Sequence, residues 1–95
     1  MFVSTLTYLV DLDQIEDALP AHVAWLDRQY ADGVAVVSGR QNPRIGGVII
    51  WRNLERADLE ARITEDPFIA LGLASTAVVE FRATKAAAGL ESLIE

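Results

Sequence analysis

The sequence predicts an α+β domain with the element order β-α-β-β-α-β, and three observations carry that prediction. Short runs rich in Val, Ile, Thr and aromatic residues occur at four places, as strands do. Two longer segments with apolar residues at helical spacing separate the first run from the second and the third from the fourth. The middle two runs are joined only by "QNPRI", a proline among polar residues followed by a glycine pair, which is hairpin chemistry. A chain of 95 residues suffices for one such domain and not for two, so residues 1–95 are read as a single unit. Its core spans 2–85, with a C-terminal extension over 86–95.

Taken in order, Phe2 to Val10 reads as the first strand. Asp11 is placed to cap a short helical turn, with Gln14 three residues on in a box-like arrangement. Pro20 suits the first position of a main helix, where its missing N–H costs nothing. Leu19, Val23, Leu26 and Tyr30 then form one apolar stripe. Asp32-Gly33 ends that helix, because glycine readily takes the left-handed conformation. Val34–Arg40 and Gly46–Arg52 are the second and third strands.

Leu54 to Glu65 is a charged helix with Leu54, Leu59, Ala61 and Ile63 as its apolar members. It stops near Asp66, since the residue before Pro67 is pushed out of helical geometry. "IALGLAS" is a short connection, Thr76 to Thr84 the fourth strand, and "KAAAGLESLIE" a candidate terminal helix weakened by Gly89. The whole is the split βαβ, or ferredoxin-like, order. "VAVV" and "VIIW" lack polar alternation, so both faces of those strands should be covered. Helices cover one face, and a second sheet from a partner chain is the simplest cover for the other. The expected architecture is therefore a dimeric α+β barrel.

Composition supports a partner of the same kind. Hydrophobic residues make up 52% of the chain, much for a small domain with a high surface-to-volume ratio. The expected partner is a second copy, as a homodimer or a higher oligomer. Net charge is −6, from 14 acids against 8 bases, which disfavours nucleic acid and anionic membranes as partners. No cysteine is present, so disulfides and thiolate metal sites are excluded and a reducing cytoplasm is the expected compartment. The N-terminal residues lack the basic start of a signal peptide, and no apolar run is long enough to span a bilayer.

The topology places several chemically useful residues at one edge. The first two strands run one way and the last two the other. The start of the first helix, the end of the second, and the hairpin after strand two therefore share an edge. His22, the only histidine, is expected in the first turn of helix one, with Asp66 at the end of helix two. Ser38, Gly39, Arg40 and Arg44 belong to the hairpin. A carboxylate on one imidazole nitrogen fixes the tautomer and frees the other nitrogen as a base. The positive end of a helix and the aspartate act on an imidazolium in opposite directions. Arg40 or Arg44 suits an anionic or phenolate-like group, and Ser38 a hydrogen bond. Trp25 and Phe68, close in sequence to His22 and Asp66, complete the candidate ligand contacts. With no second histidine and no cysteine, a zinc site is not expected, nor is any cofactor.

Each feature has a plainer explanation. A lone histidine at a helix start is ordinarily solvated and idle. Asp-Pro is a common turn initiator. Loop arginines are usually solvated charges. Trp25 and Trp51 suit core or interface anchors.

The ordered set Pro20-x-His22, Gly33, Ser38-Gly39, Gly46-Gly47, Asp66-Pro67-Phe68, Gly72 and Phe81 resembles the YciI-like family of small dimeric proteins. The resemblance runs from Phe2 to about Lys85. It implies a ferredoxin-like α+β barrel dimer with an active site around a His-Asp pair, here His22 and Asp66. One branch of that family is linked to dehydrochlorination of a chlorinated hydroxyhydroquinone, a proton abstraction assisted by such a pair. Arg40 departs from the pattern, since many relatives carry proline after Ser-Gly, so the loop beside the site differs. The leading expectation is a cofactor-independent lyase or isomerase acting on a small cyclic or phenolic molecule. The alternative is a non-catalytic ligand-binding or accessory dimer. The two separate at His22→Ala: an enzyme loses turnover while staying folded, whereas a binding module shows no turnover and keeps its ligand or partner binding.

Overall fold

The computed structural model describes all 95 residues. Its elements are β1 (Phe2–Tyr8), α1 (Leu12–Ala31), β2 (Ala35–Arg40), β3 (Gly46–Trp51), α2 (Arg56–Thr64), α3 (Pro67–Ala70) and β4 (Ala74–Glu80). A 3-10 turn follows at Glu91–Leu93. The four strands form one antiparallel sheet in the order β2-β3-β1-β4, the ferredoxin-like α+β arrangement.

Alternation along the strands separates two faces. Phe2, Ser4, Leu6 and Tyr8 of β1 align through the register with Ile49 and Trp51 of β3 and with Ala74, Thr76 and Val78 of β4. This side carries the helices and both buried clusters. One cluster gathers Phe2, Trp25, Val34, Trp51, Leu59 and Ile63; the other gathers Ile15, Ala18, Phe68 and Ala74. The opposite face presents Val3, Val37, Val48, Ile50 and Val79, and within one chain nothing covers it: Val37 is 52% and Val79 62% exposed.

Helix α1 corrects two expectations. It is one continuous helix that runs through Pro20 rather than starting there. Its inward residues are Ile15, Ala18, Trp25 and Gln29, whereas Val23 and Tyr30 of the expected stripe are exposed. The spacing 15, 18, 22, 25, 29 is helical throughout, and it includes His22. Burial along this stripe outweighs the roughly 3 kcal/mol that an interior proline costs. Hydropathy misplaced the stripe because two inward positions are polar. Gln29 is buried and satisfied, donating to the Trp25 carbonyl at 2.9 Å and accepting from Arg62 at 2.8 Å. Helix α1 does end as expected, with Gly33 at φ 76° donating its N–H to the Tyr30 carbonyl.

Other differences are local. Leu54 precedes α2 rather than joining it, and Ala61 faces out; Leu59 and Ile63 are the buried residues of that helix. The fourth strand begins at Ala74, two residues before the expected start, and ends at Glu80. The terminal segment is not a helix beyond the single turn at Glu91–Leu93. In the β2–β3 hairpin the Asn42–Pro43 peptide is cis. Gly46 is required where β3 crosses β1, because a Cβ there would lie 1.6 Å from the Leu6 carbonyl oxygen.

Candidate functional site

A cavity of about 220 Å³ opens between α1, α3 and the helix-bearing face of the sheet. Leu6, Leu19, Leu26 and Ile49 supply apolar wall, and Ser4, His22, Ser38, Arg40, Asp66 and Thr76 supply the polar groups. Its size suits a substituted single ring, since a cavity of about 150 Å³ already holds benzene.

His22 projects from the middle of α1, two turns beyond the position expected for it. The positive helix end therefore does not act on its ring, and the macrodipole expectation falls. What orients the ring is Asp66. Its Oδ1 lies 2.8 Å from His22 Nδ1, and the carboxylate is almost wholly buried. A carboxylate oxygen accepts, so Nδ1 carries a proton, and in the neutral imidazole Nε2 then keeps a lone pair. Nε2 makes no hydrogen bond within the protein and is left to the cavity.

Asp66 is more than the stop to α2. It is the N-cap of α3, with Pro67 in the first turn, and the same Oδ1 accepts the Phe68 backbone N–H at 3.0 Å. Phe68 in turn stacks on the imidazole, ring centroids 4.1 Å apart and planes at 10°. Trp25 lies 5.7 Å from the imidazole, tilted by 34°. Its indole donates to the Arg62 carbonyl at 3.0 Å, tying α1 to the last turn of α2. The imidazole is held by one hydrogen bond and by aromatic neighbours, so little rotational freedom remains.

The remaining expected residues divide. Ser38, Gly39 and Arg40 line the same cavity as His22 and Asp66, with Trp25 and Phe68. The Ser38 hydroxyl is 2.6 Å from Tyr30 Oη, and Arg40 forms no ion pair within the chain. Arg44 does not reach the cavity. It pairs with Glu16 near the start of α1, and that hydrogen bond raises the guanidinium above its ordinary pKa. The hairpin turns between Arg40 and Arg44, which carries the second arginine away; edge-level topology does not resolve this. Ser4, Tyr30 and Thr76 were missed. A small hydroxyl among Phe2, Leu6 and Tyr8 on one strand face was the available signal for Ser4. No three side chains of metal-ligating type converge anywhere in the chain.

Fold and site together define a ferredoxin-like α+β domain with a buried His-Asp pair in an aromatic-walled cavity. The YCII-related domain matches residues 1–82, and the chain belongs to that family. Among solved structures it is similar to 5-chloro-2-hydroxyhydroquinone dehydrochlorinase (TftG) from Burkholderia phenoliruptrix AC1100, in complex with 2,5-dihydroxybenzoquinone. The TM-score is 0.70 at 20% identity, covering 87% of this chain and 95% of that one, a likeness of fold. No curated protein sequence matches the chain. No helix is long and apolar enough to cross a membrane.

Proposed function

We propose that this protein is a cofactor-independent lyase or isomerase that abstracts a proton from a small cyclic or phenolic molecule. The observation that carries the proposal is the 2.8 Å bond from His22 Nδ1 to a buried carboxylate, with Nε2 free beside a ring-sized cavity. Nε2 takes a proton from a ring hydroxyl, or from carbon next to a carbonyl, and the electron pair moves into the ring. In an isomerase, the pair is protonated at another ring atom; in a lyase acting on a ring halide, the halogen-bearing carbon is protonated first, and loss of a second hydroxyl proton then expels the halide as its anion. Asp66 stabilises the imidazolium formed on the way. Arg40, unpaired at the cavity, faces the oxyanion that develops, and Ser38, steadied by Tyr30, offers a hydrogen bond. A YCII-fold neighbour that acts on a hydroxyhydroquinone supports the substrate class.

The working unit we propose is a homodimer joined through the open sheet face, whose exposed valines need cover. The test of the chemistry is His22→Ala against a panel of hydroxylated and chlorinated hydroquinones. A general base contributes about 10²–10⁴-fold, so turnover falls by that factor while the circular dichroism spectrum is unchanged. Wild-type rates in the variant reject the role. Binding that survives in both proteins, with no turnover in either, returns the protein to the ligand-binding alternative.

A further inference from the structure

Ser4 sits in the middle of β1, paired with Ile49 on one side and Val78 on the other. Its side chain shares the helix-bearing face with Phe2 and Leu6, lines the cavity, and belongs to a residue only 6% exposed. The one hydrogen bond it makes is with Trp51 Nε1 at 2.9 Å. An indole N–H can only donate, so Ser4 Oγ is the acceptor and its own proton remains unspent. The flanking side chains on that face, Ile49 and Val78, carry no acceptor. Thr76, which also lines the cavity, differs: its hydroxyl donates to the Thr5 carbonyl at 3.1 Å. Trp51 is wholly buried and packed edge-on against Trp25 at 5.9 Å, so the group that orients Ser4 is itself fixed.

We infer that the Ser4 hydroxyl is a ligand-recognition donor, selecting rings that carry an oxygen acceptor as well as the proton-bearing group that meets His22. A buried donor left unmet is costly, and the cavity is where its acceptor arrives. His22 Nε2 accepts and Ser4 donates, so the complementary ligand is a monocyclic hydroxy-carbonyl compound, with a hydroxyl at one ring position and a carbonyl oxygen at another. The inference rests on the ring-binding site proposed above and narrows its ligand class.

The test compares 4-hydroxyacetophenone with 4-isopropylphenol, which carries a methyl group in place of the carbonyl oxygen, by NMR titration. Wild-type protein should bind the ketone about five- to tenfold more tightly, the worth of one neutral hydrogen bond. Ser4→Ala should remove the preference. Because that change also strands the Trp51 N–H, the second variant is Ser4→Thr, which keeps a hydroxyl at the same place on β1. It should retain a preference for the ketone that Ser4→Ala lacks. Equal binding of the two probes by wild-type protein, or a wild-type preference in Ser4→Ala, overturns the role of Ser4 and leaves the ring site standing. If neither probe shifts the cavity resonances at about millimolar concentration, the ring-binding proposal fails and this inference with it.

Discussion

Asp66 makes two hydrogen bonds through one oxygen, to His22 Nδ1 at 2.8 Å and to the Phe68 N–H at 3.0 Å, and two substitutions separate them. Asn caps helices about as well as Asp, so Asp66→Asn keeps the α3 cap and loses the charged part of the bond to His22. Its expected destabilisation is about 1 kcal/mol or less. Asp66→Ala strands the buried Phe68 N–H, about 1–3 kcal/mol, whereas the partly exposed His22 ring can recover water. At about 4–8 °C per kcal/mol, Ala should lower Tm by about 4–24 °C and Asn by less than about 8 °C, at one protein concentration. Long-range proton–nitrogen correlation of the imidazole supplies the second readout, and the single histidine removes any assignment problem. In wild-type protein the proton sits on Nδ1; in Asp66→Ala the tautomers mix. If the two variants melt together, the cap is not the structural role of Asp66. If Asp66→Ala keeps the Nδ1–H tautomer, another group orients His22 and the proposed pair is wrong.

Three further outcomes are expected. Gly46→Ala should cost about 3 kcal/mol or more in urea denaturation, because its Cβ would meet the Leu6 carbonyl oxygen at 1.6 Å; a variant of wild-type stability would mean that β1 and β3 part easily. Hydrogen bonds from its own backbone N–H and from that of Gly89 hold the Glu91 carboxyl below its ordinary value. The turn at Glu91–Leu93 is thus supported above about pH 4.3 and released as pH falls through the lowered value; a Gly89 amide shift that does not titrate there refutes the contact. Val79→Glu on the open sheet face should convert a particle of twice the 10.4 kDa chain mass into a monomer by light scattering. A wild-type protein already monomeric at micromolar concentration sinks the dimer.

Element order, strand pairing and the shared edge were legible because periodicity and turn chemistry report them directly. The inward face of α1 was not, since His22 and Gln29 are polar and their partners, Asp66 and Arg62, lie far away in sequence. A hydropathy stripe counts such residues as outward. Pro20 misled for a related reason: its local preference is for a helix start, and only the packed sheet reveals that continuing the helix is worth the lost hydrogen bond. Among the site residues, topology paired His22 with Asp66 although it misplaced His22 at the start of the helix rather than its middle, and it could not distinguish Arg40 at the cavity from Arg44 beyond the turn. Ser4 carries no titratable group, and the partner that fixes its hydroxyl, Trp51, lies far away in sequence.

The segment Asp66-Pro67-Phe68 now has a physical account as a unit. Pro67 sets the first turn of α3, Asp66 caps that turn through the Phe68 N–H, and the Phe68 ring lies flat on the imidazole that Asp66 holds. The three contacts close a ring, His22 to Asp66 to Phe68 and back to His22, so a shift of α3 disturbs the hydrogen bond and the stack together. That closure makes the His22–Asp66 half of the site stiff. The other half is built differently. Ser38 and Arg40 come from the end of β2, where the strand runs into the hairpin and no ion pair restrains Arg40. On the function proposed here, substitutions there should change which ligand is held while leaving His22 oriented, with the chemistry set by α1 and α3 and the choice of ligand by the β2–β3 hairpin.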